Sequence, residues 1–191
     1  VRRSVPSPRR RAGLVFVGAL HPDTPNEDGL LWFVDQVIPR LRALLTNLPP
    51  LEVIGECRSM RLAALASADF RLLGPQADLR PCYDRAKVFI APVRFAGGVP
   101  VKVIEAAAQG IPVVASAILL RQLGWLDGLE IQSARNADDF ASAIVRLLTD
   151  DSVWRRQQAA AWERCEADYH LDDFARHTRA LLQANSTQGA I

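Results

Sequence analysis

Ala91-Pro92-Val93-Arg94-Phe95-Ala96-Gly97-Gly98-Val99-Pro100-Val101-Lys102-Val103-Ile104-Glu105-Ala106-Ala107-Ala108-Gln109-Gly110-Ile111-Pro112-Val113-Val114-Ala115 is the stretch on which the reading of the fold turns. An apolar strand at Val88–Ala91 runs into Pro92, and a Gly-Gly loop follows. A helix then starts near Pro100–Lys102 and covers 101–109. Gly110 closes that helix, and Pro112 leads into a second apolar strand at Val113–Ala115. Strands that are apolar throughout, joined by a helix, belong to a parallel sheet covered on both faces.

The same alternation extends in both directions. Upstream lie Leu14–Val17, a helical segment over 26–46, Leu51–Ile54, a second over 58–66, Phe70–Leu73 and a short helix over 77–84. Downstream, Ile131 marks a last strand, and three helical segments follow at Asn136–Leu148, 151–168 and 172–184. The fold class is therefore α/β: a Rossmann-like open parallel sheet with helices on both faces. Over 26–46, Leu30, Leu31, Phe33, Val34, Val37, Ile38, Leu41, Leu44 and Leu45 recur at helical spacing, so that stripe faces the core. Thr24, Pro25 and Glu27 offer a capping box with proline at the first helical position, and Asn26 is the alternative cap. Pro39 should bend this helix, because it removes a backbone donor and crowds the preceding turn.

Length and composition bound the function. A chain of 191 residues is one domain of ordinary size. It is 49% hydrophobic and 23% charged, with no apolar run near the roughly 18 residues that span a membrane. The net charge of +2 is misleading, because residues 1–12 hold five arginines and no acid. Residues 13–191 carry 18 basic against 21 acidic groups, which argues against a nucleic-acid-binding face. The Pro-, Ser- and Arg-rich residues 1–12 read as a linker or disordered arm, and 13–191 as the folded domain. Cys57, Cys82 and Cys165 are an odd count without C-x-x-C spacing, so a reducing, cytoplasmic compartment is expected. Val1 opens the chain, Met60 is its only methionine, and no hydrophobic signal segment follows the arginines, which reads as a piece of a longer protein. Among 21 arginines there are only two lysines, Lys87 and Lys102, so each merits individual attention.

Ligands of open parallel sheets bind beyond the carboxyl ends of the strands. The first such loop is Gly18-Ala19-Leu20-His21-Pro22, where Gly18 permits close backbone approach. No G-x-G-x-x-G follows the first strand and no G-x-x-x-x-G-K-[ST] occurs anywhere, which weakens nicotinamide-dinucleotide and P-loop NTPase readings. Gly55-Glu56-Cys57 puts a carboxylate past the second strand, and the turn at Gly74-Pro75 follows the third. The fourth loop is the richest. The helix after Gly97-Gly98 aims backbone N–H groups and its positive dipole end at the loop, an anion site to which Arg94 and Lys102 add charge. Glu105, about one turn in, can accept two sugar hydroxyls; equally, Lys102 and Glu105 at three-residue spacing suit an ordinary surface pair. No Asp-x-Asp pair or His/Cys cluster of ligand spacing occurs, so no metal is implied. His21, His170 and His177 read as ordinary surface or packing residues, with His21 alone in a ligand-facing loop.

These residues resemble the C-terminal domain of GT-B-fold group 1 glycosyltransferases of the retaining type. The resemblance spans nearly the whole folded chain. Phe16-Val17-Gly18-Ala19 with Asn26 and Asp28-Gly29-Leu30-Leu31-Trp32-Phe33 is similar to the family's first strand, phosphate-side loop and helix. Leu73-Gly74 with Leu79 and Tyr83 is similar to the segment that contacts the base. Pro92-Val93-Arg94-Phe95-Ala96-Gly97-Gly98, Lys102-Val103-Ile104-Glu105-Ala106 and Gly110-Ile111-Pro112-Val113-Val114-Ala115 resemble a subgroup pattern P-L-R-x-G-x-G-x-x-x-K-x-x-E-A…G-x-P-V-V-A. The resemblance implies a nucleotide diphosphate sugar as substrate and no cofactor. It makes Glu105 the acid on the ribose hydroxyls, Gly18 the close-approach glycine and Gly74 part of the base-side turn. Arg94 and Lys102 become the basic groups beside the phosphates, with Gly97 and Gly98 in their loop. It also implies an acceptor-binding N-terminal domain in the parent chain, any membrane contact through that half, and no transfer by this half alone. Many members carry two glutamates separated by seven residues; eight positions before Glu105 this chain has Gly97. Pro100 stands where many subgroup members have Lys. A non-catalytic nucleotide or sugar binding module is the competing reading, and a flavodoxin-like interaction domain a third.

Overall fold

The computed structural model describes residues 5–95 and 99–169. Six strands form one sheet: β1 (Leu14–Val17), β2 (Leu51–Ile54), β3 (Phe70–Gly74), β4 (Val88–Ala91), β5 (Val113–Ser116) and β6 (Gln132–Ala134). All pairings are parallel, in the spatial order β3-β2-β1-β4-β5-β6. Among the described residues eight α-helices connect and cover them: α1 (Pro25–Trp32), α2 (Ile38–Leu44), α3 (Met60–Ala63), α4 (Arg80–Arg85), α5 (Val101–Ala108), α6 (Ala117–Leu123), α7 (Ala137–Thr149) and α8 (Asp151–Asp168).

The strands are short and apolar because both faces are buried. Leu14, Phe16, Leu51, Val53, Val88, Ile90 and Val114 face a core shared with α1, α2 and α7. Their neighbours Val15, Ile54, Phe89, Ala91, Val113 and Ala115 face the opposite core, with α4, α5 and α6. On the first face Phe140 of α7 meets Phe33 edge-on, with ring centroids 5.6 Å apart. No helix among the described residues is long and apolar enough to cross a membrane.

Thr24, not Asn26, caps α1, its Oγ1 accepting from the Glu27 N–H. Glu27 does not complete a capping box. Its carboxylate is buried, accepting from the Asp23 N–H at 2.8 Å and from the Ser59 hydroxyl, and so ties the loop after β1 to the start of α3. These hydrogen bonds, the Ser59 one foremost, hold its pKa below the ordinary 4.5. Pro39 leaves the Asp35 carbonyl without its usual donor, and a π-helical turn at Phe33–Val37 absorbs the defect, with the Ile38 N–H reaching back to Phe33 O.

Three expectations change. Residues 5–12 are not a free arm. Pro8–Arg10 form a 3-10 turn, and Arg11 is only 5% exposed. Its guanidinium donates to the carbonyls of Tyr83, at 2.5 Å, and Ala86, at 3.1 Å, and lies 5.2 Å from the Trp154 ring centroid. The C-terminal carbonyls of α4 need donors, and a buried arginine supplies them. Second, α6 follows β5 with no intervening loop, where no helix was expected. Third, the segment over 58–66 contracts to α3, and the one over 77–84 starts later and ends one residue further on, as α4. The helix expected over 172–184 lies outside the described residues. Lys87 turns out to be structural: its Nζ donates to Leu148 O at 2.9 Å and to Asp151 at 3.0 Å, joining the end of α7 to the start of α8.

Candidate functional site

The sheet changes direction between β1 and β4. From β1 the chain builds outward through β2 and β3, and from β4 through β5 and β6. Loops leaving β1 and β4 therefore diverge to opposite faces, and a crevice opens between their carboxyl ends, where open α/β sheets take ligands.

Gly18 forms one wall. It has φ +155°, and a Cβ there would stand 2.9 Å from Asn26 Nδ2 and 3.1 Å from Lys102 Nζ. Only glycine leaves the room these side chains occupy. Next to it Gly55 ends β2 with φ +141°, and a Cβ would lie 2.2 Å from Gly18 O. Gly74 continues the row at the end of β3, its carbonyl accepting from the Gly55 N–H at 3.1 Å. The carboxyl edge of β1-β2-β3 is thus bare backbone. Sequence reasoning took Gly18 and Gly74 as site residues but not Gly55, although all three stand at the carboxyl ends of apolar strands.

Lys102 enters the crevice from the first turn of α5. Its ammonium donates to Asn26 Oδ1 and sits 4.5 Å from the Phe16 ring centroid. Asn26 is held in turn, its Nδ2 donating to Ala19 O at 2.8 Å. No carboxylate pairs with this ammonium among the described residues, and burial lowers its pKa from 10.5 to about 8. Glu105, one turn further along α5, is exposed and makes no ion pair with Lys102. The two are not a surface pair: the lysine turns into the crevice and the acid stays at the rim. Tyr83 of α4, buried beneath, has its phenol pKa raised by that burial and then by Glu105.

Arg94, just past β4, is engaged elsewhere. Its guanidinium forms a two-point pair with Asp28 of α1, with Nε to Oδ2 at 2.8 Å. The hydrogen bond raises the arginine's pKa and lowers the aspartate's. The structure therefore brings Gly18, Lys102 and Asn26 together, sets Glu105 and Gly74 at the margin, and gives Arg94 a carboxylate partner. Gly97 and Gly98 lie outside the described residues. The His21 ring lies 3.8 Å from Glu56 at the crevice's outer edge, and its carbonyl accepts from the Thr24 hydroxyl at 2.8 Å.

A crevice at the switch point of an open parallel sheet makes the chain a Rossmann-like α/β domain. Comparison with known proteins narrows the class. Residues 11–150 match the family described as Glycosyl transferases group 1, and the chain belongs to that family. No curated protein matches it at a significant level. Among solved structures, TarM superposes with a TM-score of 0.74 at 18% identity, over 90% of this chain and 35% of TarM. Sucrose-phosphate synthase from Thermosynechococcus elongatus gives 0.70 at 20% identity, over 93% and 46%. The C-terminal domain of the group 1 glycosyl transferase LpcC from Francisella tularensis gives 0.65 at 15% identity, over 85% and 90%. The chain thus spans about a third of TarM and about half of the synthase, and over that span its six-stranded parallel α/β fold is that of GT-B glycosyltransferase structures.

Proposed function

We propose that this domain binds the nucleotide diphosphate sugar donor of a retaining hexosyl transfer, completed by an acceptor-binding N-terminal domain in the same parent chain. The observation that carries the proposal is the Lys102 ammonium, held over Gly18 in the switch-point crevice with no carboxylate partner among the described residues. Transfer from such a donor leaves a diphosphate, so catalysis consists of meeting the developing negative charge and holding the substrates. Lys102, in the first turn of α5, supplies that charge without a metal ion. Glu105 takes the ribose hydroxyls, and the open space beside Gly74 leaves room for the base. Arg94 reaches the phosphates by leaving Asp28. The reading is supported by structural neighbours: Anabaena HepE was crystallised with UDP-glucose, and a Staphylococcus aureus TarM variant with UDP. The domain acts in the cytoplasm and touches any membrane only through the other half.

Calorimetric titration with UDP, GDP, ADP and the matching nucleosides tests this directly. Diphosphates should bind and nucleosides bind far more weakly; no preference for the diphosphate in any pair would overturn the proposal. A second reading, a domain that binds the nucleotide without transfer, draws on Gly97 where many relatives carry their first glutamate, and on the Arg94–Asp28 pair. Turnover by the full-length parent decides between the two.

A further inference from the structure

Beyond β4, β5 and β6 a cavity of about 630 Å³ opens on the same carboxyl edge of the sheet as the donor crevice. Arg40, Arg94, Arg121 and Arg135 line it, against one lining carboxylate, Asp138. That excess stands out in a chain whose residues 13–191 carry more acids than bases. Two of the four are committed: Arg40 to Asp138, with Nε to Oδ1 at 2.6 Å, and Arg94 to Asp28. The other two are not. Arg135 approaches Asp139 only at 3.9 Å, with its side chain 87% exposed. Arg121, in the last turn of α6, makes no ion pair or hydrogen bond among the described residues. The two guanidiniums come from the segments that follow adjacent strands, β5 and β6, and face one cavity.

Parallel strands lie about 4.8 Å apart, so the ends of β5 and β6 stand about 10 and about 14 Å from β1, where Lys102 lies. A diphosphate held by Lys102 and Arg94 lies toward the β1–β4 side of this edge, and Arg121 and Arg135, which follow β5 and β6, are left beyond it. A carboxylate is matched by one guanidinium fork, whereas a phosphoryl dianion has oxygens enough for two. We propose that this cavity binds a phosphoryl group carried by the acceptor, gripped between Arg121 and Arg135 beside the donor site. Assignment to the acceptor rests on the donor-binding reading above; the anion site itself does not.

Inorganic tripolyphosphate, titrated into the chain and followed through the arginine Nε–H resonances, is the test. It should shift the signals of Arg121 and Arg135, and Arg121→Ala/Arg135→Ala should weaken binding by about tenfold or more. Arg155→Ala/Arg156→Ala, which removes the same charge from exposed positions on α8, should change it less than about twofold. Equal losses in both double variants would reduce the effect to general electrostatics and overturn the proposal. So would loss of the binding in Lys102→Met with the Arg121/Arg135 variant unaffected, since the anion would then occupy the donor crevice. Failure of the donor reading looks different: UDP binding indifferent to Lys102→Met while tripolyphosphate still depends on Arg121 and Arg135.

Discussion

Lys102 and Asn26 close the crevice between β1 and β4 from opposite faces of the sheet. The lysine ammonium donates to the asparagine carbonyl oxygen, whose amide is anchored on Ala19 O. A cation held by a neutral acceptor keeps its full charge for a ligand, which a carboxylate partner would cancel. This arrangement separates Lys102 from Arg94, whose charge Asp28 already meets.

Lys102→Met should therefore weaken nucleoside diphosphate binding by about tenfold or more, while nucleoside binding changes little. Added salt should narrow the wild-type difference between diphosphate and nucleoside by screening. Calorimetry on both ligands reads this, and equal losses for the two would remove Lys102 from the phosphate site.

The same lysine makes binding sensitive to pH. Burial sets its pKa at about 8 in the free domain, and a bound diphosphate must raise it. Affinity should then fall as pH rises above about 8, and binding near that pH should take up a proton, measurable as a buffer-dependent binding heat. Stability of the free domain runs the opposite way. Between the folded pKa of about 8 and the ordinary 10.5 the unfolded chain binds more protons, so this residue makes stability rise with pH across that window. A buffer-independent heat would sink the assignment.

Much of this site was legible in sequence because its parts follow strand ends. Gly18, Gly74 and the Pro92–Ala115 stretch declare themselves by composition and order. What stayed hidden depends on where side chains go. The spacing of Lys102 and Glu105 is the same for a surface pair and for a lysine turned inward, and only the space over Gly18 decides it. Asp28 and Arg94 meet across 66 positions, beyond any local pattern. The helix α6 was missed because only Ser116, its N-cap, separates the apolar residues of β5 from those of α6, and that capping signal was passed over. Arg11 was read with its solvated neighbours, and its burial depends on carbonyls at the end of α4 that no composition argument reveals.

That burial carries a consequence for stability. Arg11→Ala removes the donor serving Tyr83 O and Ala86 O and the contact over Trp154. Leaving buried carbonyls without a partner costs on the order of 1–3 kcal/mol, so thermal unfolding should shift downward by several degrees. An unchanged midpoint would restore the view of residues 5–12 as a passive arm.

Glu27 offers a second structural test, close to the ligand edge. Glu27→Ala deprives the Ser59 hydroxyl and the Asp23 N–H of their acceptor and frees the loop that carries Gly18. Its folded pKa lies below 4.5, so the stabilisation is present above that value and fades as pH falls through the lowered one. Acid unfolding of the wild type should therefore be steeper than that of the variant, and identical acid profiles would count against the tie.

Glu105 provides the sharpest separation between a ligand role and a surface role. A carboxylate accepting two ribose hydroxyls makes charge-assisted hydrogen bonds, each worth about 1.5–3 kcal/mol before non-additivity. Glu105→Gln keeps the shape and removes the charge, so ribonucleotide affinity should fall by about tenfold or more. Fold stability should hardly move, because the side chain is exposed and pairs with no cation among the described residues. A 2′,3′-dideoxynucleotide lacks the hydroxyls in question and supplies the control. Wild type should bind it more weakly than the ribonucleotide, and Glu105→Gln should erase most of that difference. If the wild type binds both equally, or if the variant loses affinity for both alike, then Glu105 acts through general charge at the rim and the ribose assignment fails.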